Sequence, residues 1–278
     1  MDSFPDLLKE IDPPLRDFFV RGAPLEKSFW GIAIVGTRSP SSKSMAFAHS
    51  LAHELALLDI PVISGLALGI DSAAHEGCLS GKGRTVAVLA CDTKIIYPAT
   101  NSRLAEKILE NGGSIVSEYG TGEPPLKHRF LERNRIVAGM SVATIVIEAP
   151  EKSGSLRTAG DAASFGRDVL VLCGSFDNPG FTGSHALIRD GARLVTSIKD
   201  ILEDLGLKRL KEPEKRLPLD SDSESVIKAL LSSDSPLCID KISELTSLSP
   251  REIMGILSEL SLLGLAEDTP EGYLLLRH

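Results

Sequence analysis

The segment from Lys127 to Arg135 has the residue types most suited to binding a polyanion. It holds four Lys or Arg side chains, one histidine and one acid in nine residues, with Phe130 near its centre. Cations can follow a phosphate backbone while an aromatic ring stacks on an unpaired base. The pattern therefore favours contact with a single-stranded nucleic acid. The alternatives are a solvated basic loop at a helix start, and a role for Phe130 as a core anchor.

Three other segments combine glycine with hydroxyl or cationic side chains. Glycine lets a phosphate approach the backbone, and arginine makes a two-pronged charged contact. Free N–H groups at a helix start also bind anions. These segments contain Gly36, Thr37 and Arg38; Ser64, Gly65 and Gly69; and Lys152, Ser153, Gly154 and Ser155. Turn chemistry explains any one of them alone, but together they favour a phosphate-binding surface.

Each of the three segments follows a short apolar run that is typical of a strand buried on both faces. The predicted strands are 31–36, 61–65, 85–90, 114–118, 143–149 and 168–174, with a shorter one at 193–197. Helical segments alternate with them, which predicts a mainly parallel sheet. Ligands bind at the carboxyl ends of the strands in such sheets.

The chain divides into four predicted parts. Residues 1–30 form a lead-in with a short helix, 31–205 a Rossmann-like α/β domain, and 206–219 a charged, proline-containing linker. Residues 220–278 have the pattern of three helices followed by a hairpin, which predicts a small C-terminal winged helix-turn-helix domain.

Charge separates the two predicted domains. The formal net charge is −8. Residues 212–278 carry 13 acidic and 6 basic side chains, whereas the other 211 residues carry 25 acidic and 24 basic ones. A local basic patch therefore fits the larger domain. The acidic tail favours a protein-contact or regulatory role for the winged helix. Its predicted recognition helix (249–263) has one cation, Arg251, against Glu252 and Glu259, and an acidic helix would repel duplex DNA.

Several classes of protein are disfavoured. No apolar run approaches the roughly 20 residues of a membrane span, and the first residues do not form a signal peptide. The four cysteines match no zinc site and indicate a reduced, cytoplasmic protein. The sequence lacks the nucleotide-binding patterns GxGxxG and GxxxxGK[ST] and the hydrolase pattern GxSxG. We therefore expect no catalytic residues, no cofactor and no metal.

Long motifs in order resemble the DprA/Smf family. They include AIVGTR (33–38), SGLALGIDSAAHEG (64–77), RFLERNRIVAGMS (129–141) and GRDVLVLCGSFDNPGFTGSHALIRDGARLVTS (166–197). The resemblance covers almost the whole chain and implies an extended Rossmann fold, often followed by a winged helix. It also implies a non-enzymatic homodimer that protects incoming single-stranded DNA and loads the RecA recombinase during natural transformation.

The resemblance also implies residue roles. Arg38 contacts phosphate, Lys127 and Phe130 take backbone and base roles, and Arg133, Asn134 and Arg135 form the family's Arg-Asn-Arg element. Ser64, Gly65 and Gly69 build an anion pocket beside the first loop, and Ser153, Gly154 and Ser155 line the same groove. The dimer interface falls in the 184–195 segment, with His185, Ile188 and Leu194. One departure is Leu68, where the family often has arginine.

Two other functions compete with this interpretation. A nucleotide phosphoribohydrolase shares a related core, but its PGGxGTxxE signature is missing, and EAPEKSGSLRTA (148–159) lacks the double glycine. A winged-helix transcription regulator with a ligand-sensing Rossmann domain is the second, and the acidic tail counts against it.

Overall fold

The computed structural model describes residues 4–207, 221–231, 233, 236–262, 266–269 and 272–275. The chain forms two compact units, Met1–Leu210 and Lys211–His278. Residues 208–219 of the predicted linker and 1–3 of the lead-in lie outside the described residues.

The first unit alternates strands with helices, as the apolar periodicity predicts. Its strands are β1 (Phe19–Gly22), β2 (Gly31–Val35), β3 (Val62–Ser64), β4 (Thr85–Leu89), β5 (Ser114–Ser117), β6 (Ser141–Val146), β7 (Asp168–Leu172) and β8 (Arg193–Val195). Its α-helices are α1 (Ser42–Leu57), α2 (Ile70–Ser80), α3 (Ser102–Glu110), α4 (Lys127–Gly139), α5 (Gly154–Ser164), α6 (Thr182–Arg189) and α7 (Ile198–Asp204). Short 3-10 helices lie at Asp6–Glu10, Ala99–Asn101 and Pro179–Phe181.

All eight strands belong to one sheet, in the order β1-β5-β4-β3-β2-β6-β7-β8. Neighbours from β5 to β8 in that order are parallel, which confirms the predicted mainly parallel sheet. The lead-in also contributes β1, which pairs antiparallel with β5. Sequence patterning misses β1 because all four of its residues are exposed, so backbone pairing rather than apolar burial defines it.

The direction of winding reverses at β2. Strands β3, β4 and β5 extend the sheet to one side of β2, and β6, β7 and β8 extend it to the other. Strands β2 and β6 are therefore neighbours. Connections that leave the sheet on opposite sides open a crevice at the carboxyl ends of such a strand pair. The loops after β2 and β6 border this crevice.

Apolar residues of the central strand β2 alternate between the two faces of the sheet. Ile32 and Ile34 join a buried cluster with residues of α1 and α2. Ala33 and Val35 join a second cluster with residues of α4 and α5. The burial of both faces explains the continuous apolar run of this strand. The packing of Ala33 and Val35 holds α4 and α5, which flank the crevice, against one face of the sheet.

The second unit has the winged-helix arrangement expected from the sequence. It contains α8 (Ser221–Leu231), α9 (Ile239–Thr246) and α10 (Pro250–Leu262), then the antiparallel pair β9 (Ala266–Thr269) and β10 (Gly272–Leu275). Val226, Ile242, Ile253 and Leu257 are fully buried and form its core. Within the described ranges of the whole chain, no helix combines the length and apolarity that a bilayer span requires.

Candidate nucleic-acid interface

A cavity of about 350 Å³ opens where β2 and β6 end. It is lined by the loops after these strands, by the loop after β3 and by one side of α4. The predicted site residues that line it are Gly36, Thr37, Arg38, Gly65, Phe130, Arg133, Asn134, Lys152, Ser153, Gly154 and Ser155. The structure thus brings together residues that are more than 100 positions apart in the chain.

Arg38 is the cation of the loop after β2. Its side chain is exposed, and its guanidinium carbon lies 5.6 Å from the centroid of the Phe130 ring. Among the described residues it has no ion-pair partner. A guanidinium that is weakly hydrated and uncompensated by a carboxylate is suited to a two-pronged contact with phosphate.

The start of α5 faces the same cavity with hydroxyl and N–H groups. The Ser153 Oγ accepts a hydrogen bond from the Ser155 N–H at 3.3 Å, and the two hydroxyl oxygens lie 2.7 Å apart. Asn134 on α4 donates from its side chain to the Gly154 carbonyl at 3.1 Å, which ties the two helices together. The exposed Lys152 precedes the helix start, so a cation reinforces the positive end of the helix dipole.

Helix periodicity explains which residues of the basic segment reach the cavity. The whole segment is helical, because α4 begins at Lys127. Phe130, Leu131 and Asn134 line the cavity. Phe130 and Leu131 lie four and three residues before Asn134, which places both beside it on one face. Lys127 lies three and four residues before Phe130 and Leu131, and it is exposed in the first turn, outside the lining.

Phe130 is half-buried. Its ring contacts Tyr97, with centroids 5.3 Å apart and planes tilted by 55°. It belongs to none of the apolar core clusters formed by the described residues. Its position at the cavity is therefore set by contacts with Tyr97 and Arg38 rather than by core packing.

Arg135 lies on another side of α4 and does not line the cavity. Its Nη2 donates to both carboxylate oxygens of Glu118, at 2.7 and 2.6 Å. The two side chains are only 7% and 5% exposed. The charge of Arg135 is therefore buried and already paired. The expectation that Arg135 contacts nucleic acid is corrected on this ground.

Arg133 lines the floor of the cavity, but its guanidinium is committed to the protein backbone. Its Nη1 donates to the Gly65 carbonyl at 2.6 Å and to the Val88 carbonyl, and the residue is 4% exposed. Burial lowers the pKa of Arg133, and the nearby Asp71 carboxylate opposes this shift. A Cβ at Gly65 would overlap the guanidinium. Arg133 therefore supports the structure of the site. This corrects the expectation that Arg133 contacts the nucleic acid directly.

The expected anion pocket at the start of α2 already contains a carboxylate. The Asp71 Oδ2 accepts from the N–H groups of Gly65 and Ala67, at 3.0 and 3.3 Å. Burial raises the pKa of Asp71, against the opposing effect of Arg133. Ser64 is fully buried and donates to the Ile34 carbonyl at 2.7 Å. Gly69 supplies a positive φ of 78°. Ser64 and Gly69 therefore shape the loop rather than line the cavity.

Sequence reasoning misses the contribution of the segment after β4. Tyr97 and Pro98, with Leu68, line a smaller cavity of about 70 Å³ that shares Arg38 and Phe130 with the main one. The position of this segment in the chain, directly after a strand of the parallel sheet, could have predicted it. Strand β4 is part of the parallel sheet, so residues after its carboxyl end belong to the same edge as the loops after β2 and β6.

The residues expected at a dimer interface lie on α6 and on β8, the strand at one edge of the sheet. Leu194 is 46% exposed on β8, which forms an edge of the sheet. Ile188 packs partly buried against the core, and the His185 Nε2 lies 3.2 Å from the Gly174 carbonyl oxygen. Only Leu194 of the three therefore presents a large apolar surface to solvent.

The described residues contain no group of His, Cys, Asp or Glu side chains arranged to hold a metal ion.

Comparison with known proteins identifies relatives of both units. The family model of DNA recombination-mediator protein A matches residues 1–206, and the model of the DprA winged helix domain matches residues 211–272. Protein Smf of Escherichia coli K12 is 37% identical over 280 residues, which cover 98% of this chain and 75% of that protein.

Two solved structures are similar to the first unit. The X-ray structure of DNA processing protein A from Streptococcus pneumoniae has 38% identity and a TM-score of 0.66, covering 73% of this chain and 71% of that one. A structure on the single-stranded DNA binding mode of DNA processing protein A from Helicobacter pylori has 30% identity and a TM-score of 0.67. It covers 74% of this chain and 94% of that one.

The buried ion pair gives a prediction about stability. Replacing Arg135 with alanine leaves the Glu118 carboxylate buried without its cationic partner, so we expect the free energy of unfolding to fall by about 3–5 kcal/mol. Urea denaturation measures this loss. The control is Lys127→Ala at the exposed start of the same helix, which should change stability by no more than about 0.5 kcal/mol. Equal stability of the two variants would contradict the structural role of Arg135.

Proposed function

This chain belongs to the family of DNA recombination-mediator protein A, and we propose that it binds single-stranded DNA at the cavity between β2 and β6 in the cytoplasm. The observation that carries the proposal is the placement of the exposed Arg38 over the half-buried Phe130 ring at the rim of this cavity. The relative from Helicobacter pylori, whose structure concerns single-stranded DNA binding, supports the choice of ligand.

Phosphate contacts supply most of the proposed affinity. Arg38, Lys127 and Lys152 are exposed cations on or beside the cavity rim, and the N–H groups at the start of α5 add partial positive charge. None of the three has an ion pair within the described ranges. Each can therefore release counterions from a bound strand, which makes affinity fall as salt rises.

Aromatic contact supplies the preference for single strands. Stacking on a side chain requires a base whose face is free, and bases in a duplex are stacked on their neighbours. Stacking also tolerates every base, so we propose binding without sequence specificity. We further propose binding without catalysis. Asp71 is the carboxylate of the cavity lining, and its Oδ2 is occupied by two loop N–H groups.

The role of Arg38 can be tested by substitution. Arg38→Ala should weaken binding of an oligothymidylate by about 10-fold or more, because a charge-assisted contact of about 1.5–3 kcal/mol is lost. The slope of log affinity against log salt should also become shallower by roughly 0.7, the value for one single-strand phosphate. Fluorescence anisotropy at several salt concentrations measures both.

Arg157→Ala is the matched control. Arg157 is an exposed arginine on α5 that pairs with Asp161 and does not line the cavity, so its loss should change neither affinity nor slope. Wild-type affinity and slope for Arg38→Ala would contradict the proposed site.

We propose that the protein is a homodimer that pairs through the β8 edge. Edge strands present unpaired N–H and carbonyl groups, and Leu194 adds exposed apolar surface there. Leu194→Arg should give a monomer in light scattering, whereas Val20→Arg on the opposite edge strand β1 should leave the mass unchanged. A wild-type monomer, or an unchanged mass for Leu194→Arg, would contradict this interface.

We propose that the bound strand is passed to the RecA recombinase. The support is the family's description as a recombination mediator. Addition of the wild-type protein should shorten the lag of RecA filament assembly on single strands coated with a single-strand-binding protein. Arg38→Ala, with weakened DNA binding, should lose this effect. An unchanged lag with the wild-type protein would refute the role.

A further inference from the structure

The small cavity beside the main one has a different chemical character. Leu68, Tyr97, Pro98 and Phe130 give it largely apolar walls, and Arg38 lies at the point where it adjoins the main cavity. Leu68 is 45% exposed and Tyr97 is 47% exposed. Apolar surface this exposed at the edge of a charged cavity is suited to a flat, weakly polar group such as a nucleobase.

The Phe130 ring has little free surface for such a group. Arg38 lies 5.6 Å from its centroid and Tyr97 lies 5.3 Å from it, and the residue is half-buried. Tyr97 is more exposed and contacts Phe130 through a tilted arrangement, so part of its own ring remains open. Of these two aromatic rings, Tyr97 therefore offers the larger stacking surface.

Cationic side chains line the small cavity at Tyr97 and a further cavity at the residue before it. Arg38 lies in the small cavity that Tyr97 lines. Ile96, the residue before Tyr97, lines a third cavity of about 280 Å³ together with Arg21 and Lys94.

Glu106 also lines this third cavity and reduces its positive charge. A nucleotide has a phosphate on each side of its base along the chain. Cations close to an exposed aromatic ring are therefore suited to the phosphates of a stacked nucleotide.

We propose that Tyr97 is a base-stacking residue for single-stranded DNA. An unpaired base enters the small cavity, stacks on the Tyr97 ring and contacts the apolar side chain of Leu68. Phe130 acts as a positioning residue that supports the Tyr97 ring from behind. The proposal rests on the proposed function, since it assigns a base to the same nucleic-acid site.

The first test distinguishes the stacking surface of the Tyr97 ring from the apolar contact that the side chain makes with Phe130. Tyr97→Leu keeps an apolar contact with Phe130 but removes the stacking surface, and should raise the Kd for an oligothymidylate about 5- to 150-fold. Tyr97→Phe keeps the ring and should retain wild-type affinity. The control is Phe176→Leu, since Phe176 is 93% exposed and lines neither cavity; its loss should leave the Kd unchanged.

The second test separates stacking from a structural effect. Each protein is titrated with oligothymidylate and with a strand of equal length whose nucleotides are abasic. If Tyr97 stacks on a base, the loss caused by Tyr97→Leu should appear with oligothymidylate and largely vanish with the abasic strand. Circular dichroism confirms that each variant is folded.

Two results would overturn the proposal. One is wild-type affinity of Tyr97→Leu for oligothymidylate. The other is an equal loss of affinity for both strands, which would show that Tyr97 only maintains the site. Failure of the wild-type protein to bind either strand is a different result, because it would overturn the proposed function itself.

Discussion

The buried guanidinium of Arg133 holds the candidate site together. It joins α4 to the ends of two parallel strands, through the carbonyls of Gly65 after β3 and Val88 in β4. An arginine buried to this degree retains its charge, because a guanidinium is not deprotonated in proteins. Asp71 supplies the compensating negative charge nearby. Because Gly65 has no Cβ, the guanidinium can lie directly beneath the loop.

These hydrogen bonds of Arg133 determine which groups can contact a ligand. With Arg133 anchored beneath the loop, helix periodicity turns Phe130 and Asn134 toward the crevice and leaves Lys127 exposed at the first turn. The cations of the site therefore divide into two classes. Arg133 is buried and builds the site, while Arg38 is exposed and can bind phosphate. Only exposed cations exchange counterions for a ligand. The affinity for DNA therefore depends on cations such as Arg38, whereas Arg133 determines the geometry of the site.

The fold could be predicted from the sequence because both faces of the sheet are covered by helices, which produces continuous apolar runs such as that of β2. The site could be predicted only in part. Arg38 and Lys152 follow two parallel strands, so the sequence predicts that they lie together at the carboxyl ends of the sheet. The side chains of Arg133 and Arg135 could not be assigned, because their charges look alike in the sequence. Their separation follows from where α4 begins and from long-range partners such as Glu118.

The central claim is that single-stranded DNA binds the first unit, at the crevice, and not the acidic winged helix. Photo-crosslinking of the full chain to an oligonucleotide containing 4-thiothymine, with the crosslinked peptides identified by mass spectrometry, tests this most directly. Binding at the crevice should give crosslinks in peptides that contain Arg38, Tyr97, Phe130 or Ser153. Crosslinks confined to α8–β10 (residues 221–275), with none in those four peptides, would contradict it.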